Sequence, residues 1–171
     1  MKGTAILREV LTAAEPRPDS TASVGDKNKY AVLFADRMAE LIAKSLEPLM
    51  RGIEATTKRG SVSAQGKKQL DINFSTRHLG LALGISLKSV HIREASGGRR
   101  YTHNMKRNGE ELRIEASGYH KRQPYAVMVG VLFLPFDSCR DARTTNTSSS
   151  FGSWVRHLGS MPFRVERDSL I

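Results

Sequence analysis

Cysteine is nearly missing from this sequence. A single thiol, Cys139, excludes an internal disulfide framework and points to a reducing compartment. It ends an apolar run with no basic helix start beside it, which reads as packing rather than nucleophilic chemistry. Long hydrophobic runs are missing too. No stretch approaches the roughly 18 uncharged apolar residues of a membrane-spanning helix, and residues 1–20 lack the apolar core of a signal peptide. A cytoplasmic location is therefore the expectation. Acids are scarce relative to bases: 17 Asp and Glu stand against 27 Lys and Arg, a net charge of +10. Such an excess predicts a polyanionic partner, nucleic acid before an anionic membrane surface. The five histidines (78, 91, 103, 120 and 157) include no closely spaced pair, and no Cys-x-x-Cys accompanies them, so a zinc site is rejected.

What is present is enough for one domain: 171 residues can bury a real core. Residues 1–28 read as a weak leader helix and then the polar linker "EPRPDSTASVGDKN", with 1–27 set apart as a flexible leader. From Tyr30 onward, Leu33, Phe34, Met38, Leu41, Ile42, Leu46 and Leu49 recur at helical spacing, which predicts an amphipathic helix over 28–50 limited by Pro48. A basic connector fills 51–69. "LDINFST" then alternates as a strand, and "GLALGISLKSVHI" alternates as another, with Leu81, Leu83, Ile85 and Leu87 on one face and Ala82, Gly84, Ser86 and Lys88 on the other. A short third strand near 92–102 is an option. A helix is expected over 109–121, with Asn108 as N-cap and Glu111 closing a capping box. "YAVMVGVLFLP" predicts a strand buried on both faces. Residues 137–171 lose apolar periodicity and read as a C-terminal tail, truncated or poorly ordered, with "TTNTSSS" linker-like and "FGSWVRHLG" a candidate short helix. The expected class is α/β, a mixed sheet flanked by helices, with the core domain over 28–136.

Asp71 and Lys88 are unusual in strands this apolar. A carboxylate and an ammonium on neighbouring strands suit metal-assisted phosphodiester hydrolysis, the acid as a hard ligand for Mg²⁺ and the lysine beside the attacking water or scissile phosphate. Ser86 shares the face of Lys88 but ligates magnesium poorly, so a second acid is needed. Glu115 lies within the apolar stripe of Leu112, Ala116 and Tyr119, and a carboxylate there requires a partner. Glu111, one turn earlier, reaches the same side; Glu110 faces away. The competing reading gives Glu111 to the cap and Glu115 to an ion pair. Ser86 as an acyl-transfer nucleophile fails, for it sits mid-strand without a nucleophile elbow.

Asp71, Ser86-x-Lys88 and a helical glutamate ahead of a buried strand resemble the PD-(D/E)-x-K nuclease superfamily. The order helix, strand, strand, helix, strand agrees with it. The closer resemblance is to a variant branch of type II restriction endonucleases, in which Ser-x-Lys replaces Glu-x-Lys and the displaced acid comes from the following helix. "LRIEASGYHKRQPYAVMVGV" is similar to that helix and strand, and covers Glu115 at the displaced acid. The resemblance spans roughly 28–136 and departs from the family where Leu70, not proline, precedes Asp71. It implies a restriction-endonuclease-like core, Mg²⁺ held by Asp71 and Glu115 with Glu111 as a further candidate, Lys88 at the nucleophile and Ser86 in support. Some relatives add a glutamate from the first helix. Glu40 or Glu47 would fill that place, although both lie on a polar face that reads as solvated. A homodimer follows by the same analogy.

Arg99, Arg100, Lys106 and Arg107 in a glycine-flanked basic stretch, with Lys121 and Arg122, are the expected contacts to double-stranded DNA. The leading expectation is a Mg²⁺-dependent DNA endonuclease of restriction type. The alternative is a catalytically inactive DNA-binding domain on the same fold, and a basic RNA- or ribosome-associated protein is the third.

Overall fold

The computed structural model describes residues 8, 9, 12, 16–19, 21–56, 70–90, 100–102, 104–142 and 147–161. The first helix, α1, spans Val24–Leu46. It begins four residues earlier than its apolar stripe predicts because Ser23 caps it: the Ser23 hydroxyl accepts from the Asp26 amide at 3.1 Å and donates to the Asp26 carboxylate at 2.7 Å. Phe34 and Met38 are buried as expected and are joined by Tyr30, Ala39 and Ala43, while Leu49, past the helix end and Pro48, is exposed.

Four strands follow in a sheet ordered β1-β2-β3-β4: β1 Glu54–Ala55, β2 Ile72–Thr76, β3 Gly80–Ser89 and β4 Val127–Phe133. The first three pair antiparallel, and β4 runs parallel to β3. The extra strand beyond the two expected before the helix is thus β1, inside the basic connector. Most of the segment considered near 92–102 lies outside the described residues. Parallel neighbours need a crossover, supplied by α2, Met105–His120.

The sheet carries α1 on one face and α2 on the other. Ile72, Ile85 and Leu87 pack with Phe34, Met38 and Ala43 of α1, and Leu83, Val131 and Phe133 join them. On the opposite face Tyr119 packs with Leu70, Leu81 and Ala126. Leu81 therefore does not share a face with Leu83, contrary to simple alternation. The pairing shifts from Phe74↔Leu83 to Ser75↔Leu81, so β3 carries one extra residue there, and such a bulge reverses the alternation beyond it. The β2–β3 turn closes at Gly80, whose φ of +67° favours glycine.

Three further expectations are corrected. The second helix starts at Met105, not 109: Asn104, in the left-handed region at φ 56°, is its N-cap, and the Asn108 amide already donates to the Asn104 carbonyl. No Asn108–Glu111 capping box forms. β4 is the last strand among the described residues, with Val127 58% and Val129 38% exposed. A continuous apolar run records apolar contact along part of both faces, and here that contact is confined to Met128 and to the second half of the strand. Finally, the described part of the expected tail packs on the core, and the short helix expected over "FGSWVRHLG" is present. A 3₁₀ turn, Phe136–Cys139, leads to α3, Ser150–Gly159. Trp154 of α3 is 1% exposed, packs with Val90 and Tyr101, and donates its indole N–H to the Tyr101 carbonyl at 2.8 Å. Ser149 caps this helix, its hydroxyl accepting from the Gly152 amide at 3.1 Å, and Asp141 accepts from the Ser150 amide at 2.6 Å. Among the described residues no helix is long and apolar enough to cross a membrane.

Candidate active site

Strand direction decides what meets here. Because β2 and β3 are antiparallel, the start of β2 and the end of β3 lie at one end of the sheet. The crossover helix leaves from that end, so its first half lies there as well. Asp71, Ser86, Lys88, Glu111 and Glu115 are gathered from three segments by this topology alone.

Asp71 sits just before β2, at the point where pairing to β3 stops. The Leu87 amide would lack a strand partner there, and the Asp71 Oδ2 accepts from it at 2.6 Å. Across the face toward α2, the Ser86 hydroxyl donates to Glu115 Oε2 at 2.7 Å, and the Lys88 ammonium lies 3.3 Å from Glu115 Oε1 and 3.5 Å from Glu111 Oε2. Arg107 Nε closes the row, donating to Glu111 Oε1 at 2.8 Å. The inward position expected for Glu115 is the observed one: its side chain is 8% exposed.

The carboxyls differ electrostatically. Burial pushes the Asp71 carboxyl above its ordinary value. The Leu87 amide and the Lys88 charge oppose this, while Glu115 and Asp36 add to it. The Arg107 hydrogen bond, helped by Lys88, holds the Glu111 carboxyl below its ordinary value. Asp36 was not singled out by the sequence. It occupies the polar face of α1 with Glu40 and Glu47, and nothing in the spacing distinguishes the one whose charge reaches Asp71. Glu40 is exposed and paired with Arg37 at 3.1 Å, and Glu47 is exposed.

No family model, no curated protein and no solved structure matches this chain. What the site can do rests on its own geometry.

Among the described residues no group of three or more His, Cys, Asp or Glu side chains stands close enough to hold a metal ion. Magnesium commonly uses only one or two carboxylates, completing its shell with water and substrate phosphate. Asp71 and Glu115 are hard oxygen donors, and Asp71, raised by burial and by the Glu115 charge, would gain from a cation. The Glu115 oxygens are turned to Ser86 and Lys88 and those of Glu111 to Lys88 and Arg107, so a hard divalent ion held by Asp71 with either glutamate would displace one of these contacts.

The expected DNA contacts are scattered. Lys106 and Arg107 stand in the first turn of α2, at the Asp71–Lys88 end, and are exposed. Arg100 is committed elsewhere: its guanidinium donates to the Ser148 carbonyl at 2.7 Å and to the Ser153 hydroxyl at 3.1 Å, bracing α3. Arg99 lies outside the described residues. Lys121 and Arg122 follow the far end of α2, beside the β2–β3 turn and remote from Lys88.

Proposed function

We propose that this chain is a Mg²⁺-dependent endonuclease of restriction type that hydrolyses phosphodiester bonds in double-stranded DNA, on a restriction-endonuclease-like core. The convergence of Asp71, Lys88 and Glu115 at one sheet end is the observation that carries this reading. The meander of three antiparallel strands, crossover helix and parallel fourth strand supports it, as does the net charge of +10. Asp71 and Glu115 would hold Mg²⁺, which when bound supplies Lewis-acid polarisation of a phosphoryl oxygen and a more acidic water. Lys88 stabilises the anionic nucleophile and the charge that develops on phosphorus. Ser86 fixes the rotamer of Glu115. Lys106 and Arg107 bear on the phosphate backbone, contributing affinity rather than sequence choice. A cytoplasmic homodimer remains part of the proposal, since cutting both strands calls for two sites.

One feature favours the second reading, an inactive DNA-binding domain on the same fold. Both Glu115 oxygens are engaged by the protein's own groups, and Lys88 is held between two carboxylates. Supercoiled-plasmid cleavage at about 5–10 mM Mg²⁺, chosen because hard-cation sites of this kind are weak, separates the two. Wild type is expected to cut, and Lys88→Ala and Glu115→Ala to lose cutting. Folded wild type that retards duplex DNA yet never cuts it with Mg²⁺ or Mn²⁺ would leave the binding domain in place of the enzyme.

A further inference from the structure

The basic residues of the described core fall into two populations. Near the candidate site Lys88 pairs with Glu111 and Glu115, Arg107 with Glu111 and Arg113 with Glu110, and Lys106 is exposed with no ion pair among the described residues. At the other end of the sheet Arg77 and His78 form the β2–β3 turn, and Lys121 and Arg122 form the exit of α2; all four are exposed. Among the described residues none of their side chains takes part in an ion pair or hydrogen bond, and Arg122 lies over the Tyr119 ring, 5.9 Å from its centroid.

These residues come from segments far apart in sequence, and the fold joins them. A Cβ built on Gly80 would meet the Gln123 side chain at 2.8 Å, so the turn and the α2–β4 connection are in contact. His120 Nε2, 2.9 Å from the Ala126 carbonyl, ties that connection to the end of α2. No acid occurs in the sequence between 72 and 93 or between 116 and 136, so neither segment brings a neutralising charge. From Gly80 to Lys88, β3 runs eight residues, about 26 Å at roughly 3.3 Å each. One cation cluster therefore cannot serve both ends.

We propose that Arg77, His78, Lys121 and Arg122 form a second nucleic-acid contact surface, one that binds the phosphate backbone of duplex DNA at the end of the sheet opposite Asp71, Lys88 and Glu115. Exposed basic side chains on segments that carry no acid are free to release counterions from a polyanion, whereas the paired cations of the candidate site must first give up a carboxylate. The proposal shares the nucleic-acid partner of the proposed function and is independent of its chemistry. The surface contributes affinity without sequence preference and without contact to the reacting atoms.

The test is duplex binding by fluorescence anisotropy in EDTA, across a salt series, for full-length wild type and Arg77→Ala/Lys121→Ala/Arg122→Ala. Neutralising three phosphate contacts lowers the slope of log K against log salt by about 2.7, so the advantage of wild type shrinks roughly 40-fold from about 50 to about 200 mM salt. Arg77→Ala alone, which leaves the Tyr119 contact intact, lowers the slope by about 0.9. Plasmid cleavage at saturating DNA stays at the wild-type rate in both variants. An unchanged slope in a wild type that binds or cuts DNA overturns this surface alone, and a wild type that neither binds nor cuts overturns the nucleic-acid reading with it. Binding to phosphatidylserine vesicles that the triple variant loses, with its DNA slope unchanged, also overturns the proposal and gives the surface to a membrane.

Discussion

Replacing Lys88 with methionine tests the electrostatics of the candidate site before any activity is known. At 3.3 Å the attraction between the Lys88 and Glu115 charges is about 5 kcal/mol for an effective dielectric near 20. Most of that is offset by desolvating the two groups, whose side chains are 20% and 8% exposed. Removing only the cation does not return the desolvation cost, because Glu115 stays buried, with the Ser86 hydroxyl still donating to it. Breaking such a pair costs about 3 kcal/mol, the lower part of the usual range, since Glu111 keeps Arg107 as a partner when Lys88 is lost. For a domain of this size each kcal/mol shifts Tm by roughly 2–4 °C, so Lys88→Met should melt about 6–12 °C below wild type at neutral pH. The double variant Lys88→Met/Glu115→Leu should recover most of the loss, because an apolar pair of similar volume carries no buried charge. Thermal unfolding in EDTA, followed by circular dichroism, reads the full double-mutant cycle. A Lys88→Met protein within about 2 °C of wild type, or strictly additive effects in the cycle, would refute the reasoning: the two charges would then be independent and the site open to water.

Two other substitutions examine neighbouring claims. The Asp71 carboxyl is raised by burial, so the folded state holds its proton more tightly than the unfolded chain does. Its ionised form therefore costs stability, a cost that begins as pH rises through about 4 and is fully present above the folded pKa. Asp71→Asn should raise Tm at pH 7 while abolishing cleavage, and the gain should vanish when the melt is repeated below about pH 4; a lower Tm at pH 7 would contradict the burial argument. Trp154→Ala removes a fully buried indole from the cluster with Val90 and Tyr101 and should cost about 3–5 kcal/mol in urea unfolding. A loss under about 1 kcal/mol would mean that the segment after 136 is an appendage to the core.

Helical and strand periodicity were legible because they are local. The spacing of Phe34, Met38 and their neighbours made α1 readable, and the run ahead of Phe133 made β4 readable. The inward position of Glu115 was legible for the same reason, since a residue three places from Leu112 and four from Tyr119 shares their side of a helix. Ends and exceptions were less so. The bulge that moves Leu81 to the other face leaves no mark in the alternation, Ser23 starts α1 ahead of its apolar stripe, and Asn104 takes the cap expected at Asn108. Trp154 recurs at helical spacing with Phe151, Val155 and Leu158, which marks a short helix, but its burial was not legible because it depends on Tyr101, more than fifty residues away.

The sequence by itself determined the class of element at each core segment, the strong positive charge, and the small set of polar residues that apolar strands and a helical stripe would have to accommodate. Tertiary structure decided which of those residues meet. Antiparallel pairing put Asp71 and Lys88 at one end of the sheet, and the crossover brought Glu115 and Glu111 to the same ammonium while carrying Lys121 and Arg122 to the opposite end. Charge type and spacing are properties of the chain, whereas the partner of each charge is set by strand direction and helix length, and these fix distance only once the sheet has formed.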